Sequence, residues 1–207
     1  TVTTQHQFTC TKTPVKLSVL LGYPTPPIRL IWKLSLVGGG ITPNADVTDN
    51  SPVPVGTQLV NGVLYTKYDL AGTYTFSSTG NFRIPIIATH PIIENCNNTE
   101  EVYYFIEVRD KPVANFSFLH TGCVLDSVYF TGQSPTSNGY NVNQWLWTFP
   151  DATTATIQSP IKRFLTPGIK AVNLRVVSTE GCVSDTTKDV AISDKPIVNF
   201  TTTPPAV

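Results

Sequence analysis

Asp110-Lys111-Pro112-Val113-Ala114-Asn115-Phe116 returns almost verbatim as Asp194-Lys195-Pro196-Ile197-Val198-Asn199-Phe200, 84 positions further along the chain. A period of that length is a whole small domain, longer than the roughly 20–50-residue units of solenoids and propellers. The repeat therefore divides the sequence into a first module over residues 1–110, a second over 111–194, and the opening of a third over 195–207. Arrays of small modules are usually built for reach and attachment rather than chemistry.

Outward from the repeat, the two modules align internally. Cys10 stands ahead of Trp32 at nearly the spacing that separates Cys123 from Trp147. Trp32-Lys33-Leu34 matches Trp147-Thr148-Phe149, and Phe76 through Gly80 matches Phe164 through Gly168. After each glycine, apolar residues alternate: Phe82, Ile84, Ile86 and Ala88 in one copy, Val172, Leu174 and Val176 in the other. Period-two alternation marks β-strands with one buried face, and no window sustains a 3.6-residue period. Turn residues fall every 8–12 positions or so, as in a sandwich. A second cysteine follows each alternating stretch at a similar distance, Cys96 after Gly80 and Cys182 after Gly168. Only the interval from Trp to Gly differs greatly. Trp32 to Gly80 is more than twice as long as Trp147 to Gly168, so module one carries an insertion inside 35–75.

Composition excludes several classes of function. Lys+Arg and Asp+Glu each total 14, for a net charge of +0. Nucleic acid and anionic membrane surfaces call for basic patches, and none is visible. Charged residues make up 14%, well under the roughly 25% of average globular proteins, which fits β-rich modules with uncharged polar surfaces. The apolar runs fall far short of the roughly 18 residues of a membrane span. The chain begins at Thr1 and contains no Met, which reads as a mature or trimmed fragment. The four cysteines form no Cys-x-x-Cys, and His6, His90 and His120 are isolated, which argues against zinc and places the histidines on the surface. Two cysteines per module point to one disulfide each and an oxidising compartment. Each pair brackets its module's Trp and Gly at equivalent places, so the expected bridges are Cys10–Cys96 and Cys123–Cys182, both toward one end of their sandwich.

The aligned residues resemble polycystic-kidney-disease (PKD) type immunoglobulin-like domains. Module two matches over nearly its whole length: Ala114-x-Phe116, then Trp145-x-Trp147-x-Phe149-Pro150-Asp151, then Phe164-x-x-x-Gly168 leading into Val172-x-Leu174-x-Val176. The family's Phe-Gly-Asp-Gly turn stands here as Phe149-Pro150-Asp151-Ala152, with both glycines lost. Module one keeps Trp32 and Gly80 but not the aspartate turn, and Pro85 sits in a strand that is normally interior. The paired Gly122-Cys123 and Gly181-Cys182 look like a variant of large secreted proteins of Bacteroidetes-type bacteria. The resemblance implies all-β tandem Ig-like sandwiches of about seven strands each, secreted or displayed on a cell surface. Such modules serve as spacers, adhesion segments or ligand-presenting units.

Trp32, Trp147 and Phe149 are expected in the cores, although the row Trp145, Trp147, Phe149 would also suit stacking on sugar rings. Asp46, Asp49 and Asp151 lie in loops, and calcium would need six to eight oxygens converging on it, so ordinary turn aspartates are the simpler reading. The three N-glycosylation patterns, such as Asn115-Phe116-Ser117, are no more than chance supplies. Asp126-Ser127 and Asp185-Thr186 fit a loose O-glycosylation pattern equally well read as strand starts. No nucleophile elbow, metalloprotease motif or phosphate loop is present, so no catalytic residues and no cofactor are expected.

The insertion is the remaining candidate binding loop. Gly38-Gly39-Gly40 supply backbone freedom, Asp46 and Asp49 supply acceptors, and Val60-x-x-Val63-Leu64-Tyr65 reads as a strand pinning it to a sheet edge. Its removal over 38–54 is expected to leave both modules intact. The short, proline-stiffened joint at 109–112 is expected to hold the modules end to end. The functional expectation is a non-catalytic stalk or adhesin segment that meets neighbouring modules and an unidentified protein or polysaccharide surface ligand. The alternative is a carbohydrate- or substrate-binding accessory module of a secreted hydrolase.

Overall fold

The computed structural model describes residues 5–22, 25–91, 98–135 and 141–200. The chain divides into two compact units, Thr1–Lys111 and Pro112–Val207, and every long regular element in them is a strand.

In module one the strands are β1 (Gln5–Cys10), β2 (Ser18–Leu21), β3 (Arg29–Trp32), β4 (Val47–Asp49), β5 (Gly56–Val60), β6 (Val63–Asp69), β7 (Gly80–Thr89) and β8 (Thr99–Arg109). They form a five-stranded sheet ordered β1-β8-β7-β3-β4 and a three-stranded sheet ordered β2-β6-β5. The alternation seen in the sequence closes the core: Ile84, Ile86 and Ala88 of β7 lie beside Val102, Tyr104, Ile106 and Val108 of β8, with Trp32, Leu17, Leu34 and Phe76 filling the centre. Pro85 causes no lost ladder bond. Its carbonyl accepts from the Lys33 N–H at 2.9 Å. A residue of an antiparallel strand points its N–H and C=O to the same neighbour, so the missing donor faces the place where β3 has already ended.

Module two consists of β9 (Asn115–Leu119), β10 (Ser127–Gln133), β11 (Val142–Thr148), β12 (Thr154–Ala155), β13 (Ile161–Arg163), β14 (Gly168–Ser178) and β15 (Val183–Ile192). One sheet is ordered β13-β10-β9, the other β12-β11-β14-β15. Between them lie Phe116, Phe130, Trp147, Phe149, Phe164, Val172, Leu174 and Val176. Trp147 is fully buried and its indole Nε1–H donates to the Ile157 carbonyl at 2.9 Å, so the ring brings no unsatisfied donor into the core.

The backbone carries the internal repeat as well. Lys12 N–H donates to Phe76 O at 2.8 Å and Leu125 N–H to Phe164 O at 2.9 Å. Thr11 N–H donates to Arg109 O and Val124 N–H to Ser193 O, while Thr13 and Asp126 each close a turn onto the carbonyl of their cysteine, Cys10 or Cys123. Lys12 and Leu125 share a left-handed backbone, φ 56° and 65°. Cys10 and Cys123 therefore occupy the same structural position in the two sandwiches.

Candidate functional site

The insertion in module one is part of the scaffold. Gly38, Gly39 and Gly40 all hold left-handed φ between 63° and 71°. A Cβ on Gly39 would lie 2.1 Å from the Phe82 ring. These glycines permit a tight approach; the expected loose segment is instead packed down. Ile41 beside them is buried in the core. The end of the insertion builds a hairpin: β5 pairs β6 with Val60 opposite Val63, joined by Asn61 and Gly62 at φ 49° and 80°, the double left-handed turn that matches strand twist. The single edge strand expected at Val60–Tyr65 is thus two strands and a turn. β6 pairs β2 and buries Tyr65 and Tyr68.

The two insertion aspartates have distinct local duties. Asp46 accepts from Lys33 Nζ at 2.9 Å and from the Ser35 N–H and Oγ at 3.0 and 2.7 Å. The Lys33 hydrogen bond, aided by Ser35, lowers its carboxyl to about 2. Asp49 accepts the Ser51 N–H at 3.0 Å, an aspartate turn. Among the described residues no three His, Cys, Asp or Glu converge on a metal position.

Asp151 plays the same part in module two. It accepts from Thr153 N–H and Oγ1, and from Lys162 Nζ, whose hydrogen bond brings the carboxyl to about 2. The Lys162 ammonium also lies 5.2 Å from the Phe149 ring centre. The turn survives without its glycines because Ala152 takes a left-handed φ of 62°, and Ala152 N–H closes onto Phe149 O at 2.9 Å.

The aromatic row splits between two environments. Trp147 and Phe149 are core, whereas Trp145 is half-buried, its ring laid over Gly132, where a Cβ would come within 2.5 Å of it. Strand β12 pairs only with Trp147 and Thr148 of β11, and the register breaks between Val142 and Gln144. That leaves a shallow groove of about 470 Å³ lined by Asn143, Gln144, Trp145, Leu146, Arg175 and Val177, with Thr156 at its edge. Sequence reasoning missed this groove because the shortness of β12 has no local signature.

Histidine and cysteine placement also departs from expectation. His90 is buried rather than superficial, with Nδ1 3.2 Å from the Thr25 carbonyl. His120 is half-buried against Phe118, and the His6 side chain lies outside the described residues. Cys10 and Cys182 are disulfide-bonded, but Cys123 carries a free thiol, so the expected Cys123–Cys182 bridge is not formed. The reason is distance along a strand. Cys123 pairs with Ser193 beyond the end of β15, whereas Cys182 precedes its start at Val183. The 10 residues of β15 set them about 30 Å apart, against the roughly 7 Å limit for bonded cysteines. Module two has no disulfide of its own, and Cys96 lies outside the described residues.

No curated protein matches the sequence. Among solved structures, the chain is similar to the PKD1 domain of the Vibrio cholerae metalloprotease PrtV (24% identity over 40% of this chain and 96% of that one, TM-score 0.36). It is also similar to the PKD1 domain of Vibrio anguillarum Epp (22% identity, 41% and 96% covered, TM-score 0.37). The fibronectin(III)-like modules of Clostridium thermocellum CbhA align over 97% of this chain and 96% of theirs, at 7% identity and TM-score 0.40. Residues 109–193 match the family model described as PKD domain, and with the seven-stranded sandwich just described, module two is a PKD-type immunoglobulin-like domain.

Proposed function

We propose that this chain is a non-catalytic segment of an extracellular protein, a spacer or adhesin stalk in which successive sandwiches set the reach of whatever they carry. The observation supporting this reading most directly is where the polar candidates are engaged. Asp46, Asp49 and Asp151 each bond residues of their own turn or its neighbouring strand, while the aromatic residues are committed chiefly to two separate cores. PKD domains occur in extracellular proteins, and no helix among the described residues is long and apolar enough to cross a membrane. The spacer reading is tested by replacing residues 1–194 in the parent protein with an unrelated pair of β-sandwich modules of equal length. Attachment or activity of the parent should survive; its loss would show that these modules recognise something themselves.

The half-buried Trp145 favours the accessory reading as an alternative. Beside Asn143, Gln144 and Arg175, it combines an aromatic face with amide and guanidinium donors, the equipment for a polysaccharide chain. A glycan array with the native chain and Trp145→Ala decides it: binding lost only in the variant supports this alternative, and no binding by either disposes of it.

A further inference from the structure

We propose that the free edge of β5 pairs with the β5 of a second copy of this chain, antiparallel, about a two-fold axis at Gln58. β5 closes the sheet ordered β2-β6-β5 and, among the described residues, has a neighbour on one side only. Asn61 and Gly62 form a two-residue hairpin turn, which closes with a hydrogen bond between the residues flanking it, here Val60 and Val63. Successive residues of an antiparallel strand bond to opposite sides, so Val60 and Gln58 are turned toward β6. Thr57 and Leu59 present their N–H and C=O groups to the open side.

An open strand edge is a template for another strand, and folded proteins blunt it with charge, proline, shortness or a covering group. Module two does so. β13 carries Lys162 and Arg163, β15 carries Asp185, Lys188 and Asp189, and β12 is two residues long. On the open side of β9 the Phe116 carbonyl accepts from Lys188 Nζ. β5 has none of these devices. No charged residue occurs from Asn50 to Thr66, and Gly56 through Leu59 are exposed. Leu59 and its cross-strand neighbour Leu64 are 68% and 62% exposed. Pro52 and Pro54 precede the strand; they stop pairing from running further toward the N-terminus and leave Thr57 and Leu59 open.

The absence of charge selects the occupant. About a two-fold axis a strand meets its own residues, and like charges directly opposite are destabilising. An uncharged strand can pair with itself, whereas a charged partner strand finds no counter-ion on β5. The register is self-consistent as well. With Gln58 opposite Gln58, Thr57 of each copy falls opposite Leu59 of the other. These are the residues whose backbone groups are open, so about four N–H to C=O bonds form across the axis. Leu59 and Leu64 of both copies then share one face. Such pairing joins two chains through module one, whether they serve as stalks or as accessory modules.

The test uses the 207-residue chain carrying Cys123→Ser, which rules out dimers bridged by that thiol. A contact of one short strand and its leucines lies at the small, transient end of interface sizes, so sedimentation equilibrium is run from about 5 to 500 μM. The average mass should climb from one chain toward two. Gln58→Lys and Gln58→Glu each set like charges opposite one another, on Cα atoms about 4.5 Å apart, and each should weaken association at least tenfold. Their equimolar mixture should dimerise at least as tightly as the Gln58 chain. Thermal melts matching the Gln58 chain establish that both variants fold, as the exposure of Gln58 allows. A chain that stays monomeric at the highest concentration overturns the proposal and leaves the edge to a different partner. A dimer that both charges leave intact uses another surface and overturns it too. So does a mixture that fails to regain the dimer, since that excludes the antiparallel register centred on Gln58.

Discussion

Ala152 holds a left-handed φ of 62° at the turn after β11, a conformation costing an L-residue about 1 kcal/mol or more that glycine adopts freely. Ala152→Gly should therefore stabilise module two by about 0.5 kcal/mol after the added flexibility of the unfolded chain is counted, raising its melting temperature by about 2–4 °C. A lowered melting temperature would contradict the strain. Asp46 and Asp151 offer a pH test. Their carboxyls titrate at about 2 in the folded protein against an ordinary 3.8, because Lys33 and Lys162 hydrogen-bond the charged forms. The unfolded chain then binds more protons across that interval, so the stability from these pairs is whole above about pH 4 and fades as pH falls toward 2. Urea midpoints at pH 6 and pH 2.5 should show a smaller acid loss for the Asp46→Asn, Asp151→Asn double variant than for the parent. Trp147 was legible as a core residue from its alternation with Phe149. The half-buried state of Trp145, two positions away on the same face, was not, since it depends on a glycine in the opposite sheet.

At the scale of the element, the Gly38-Gly39-Gly40 run decides how the insertion attaches to the sandwich. Gly38 has open space around its Cβ position and Gly39 has the Phe82 ring. Gly38→Ala should cost about 1 kcal/mol from backbone strain alone, and Gly39→Ala on the order of 2–4 kcal/mol, because overpacking adds to it. Equal losses in urea titrations would show that Phe82 yields. Removal of residues 38–54, expected from sequence to be harmless, takes away Ile41, the Asp46–Lys33 pair and β4 against β3. On the structure it should abolish module one's cooperative transition. The hairpin turn had a signal, Asn61-Gly62 between apolar residues. The burial of Tyr65 and Tyr68 had none, because it depends on β2 arriving alongside β6 from the far side of the insertion.

For the whole molecule, the two cores share no residue, and the three tryptophans, Trp32, Trp145 and Trp147, are divided between them. Trp147→Ala removes a fully buried indole and should cost roughly 3–5 kcal/mol, eliminating module two's transition in calorimetry while a module-one transition remains. Loss of both transitions together would mean that the units do not fold separately.

By itself the sequence determined the class of the fold and the place, near residue 110, where the chain divides into two units. Period-two alternation is a property of strand geometry that needs no tertiary context, and a heptapeptide that recurs after a domain's length marks a module wherever the chain goes. Only the tertiary structure decided which cysteines are within bonding reach, that the glycine run is packed rather than loose, and that a short β12 leaves a groove beside Trp145. Each of these is set by through-space distance between segments far apart in the chain. The length of β15 holds its two ends about 30 Å apart, and nothing in the spacing of Cys123 and Cys182 states that they lie at opposite ends of one strand.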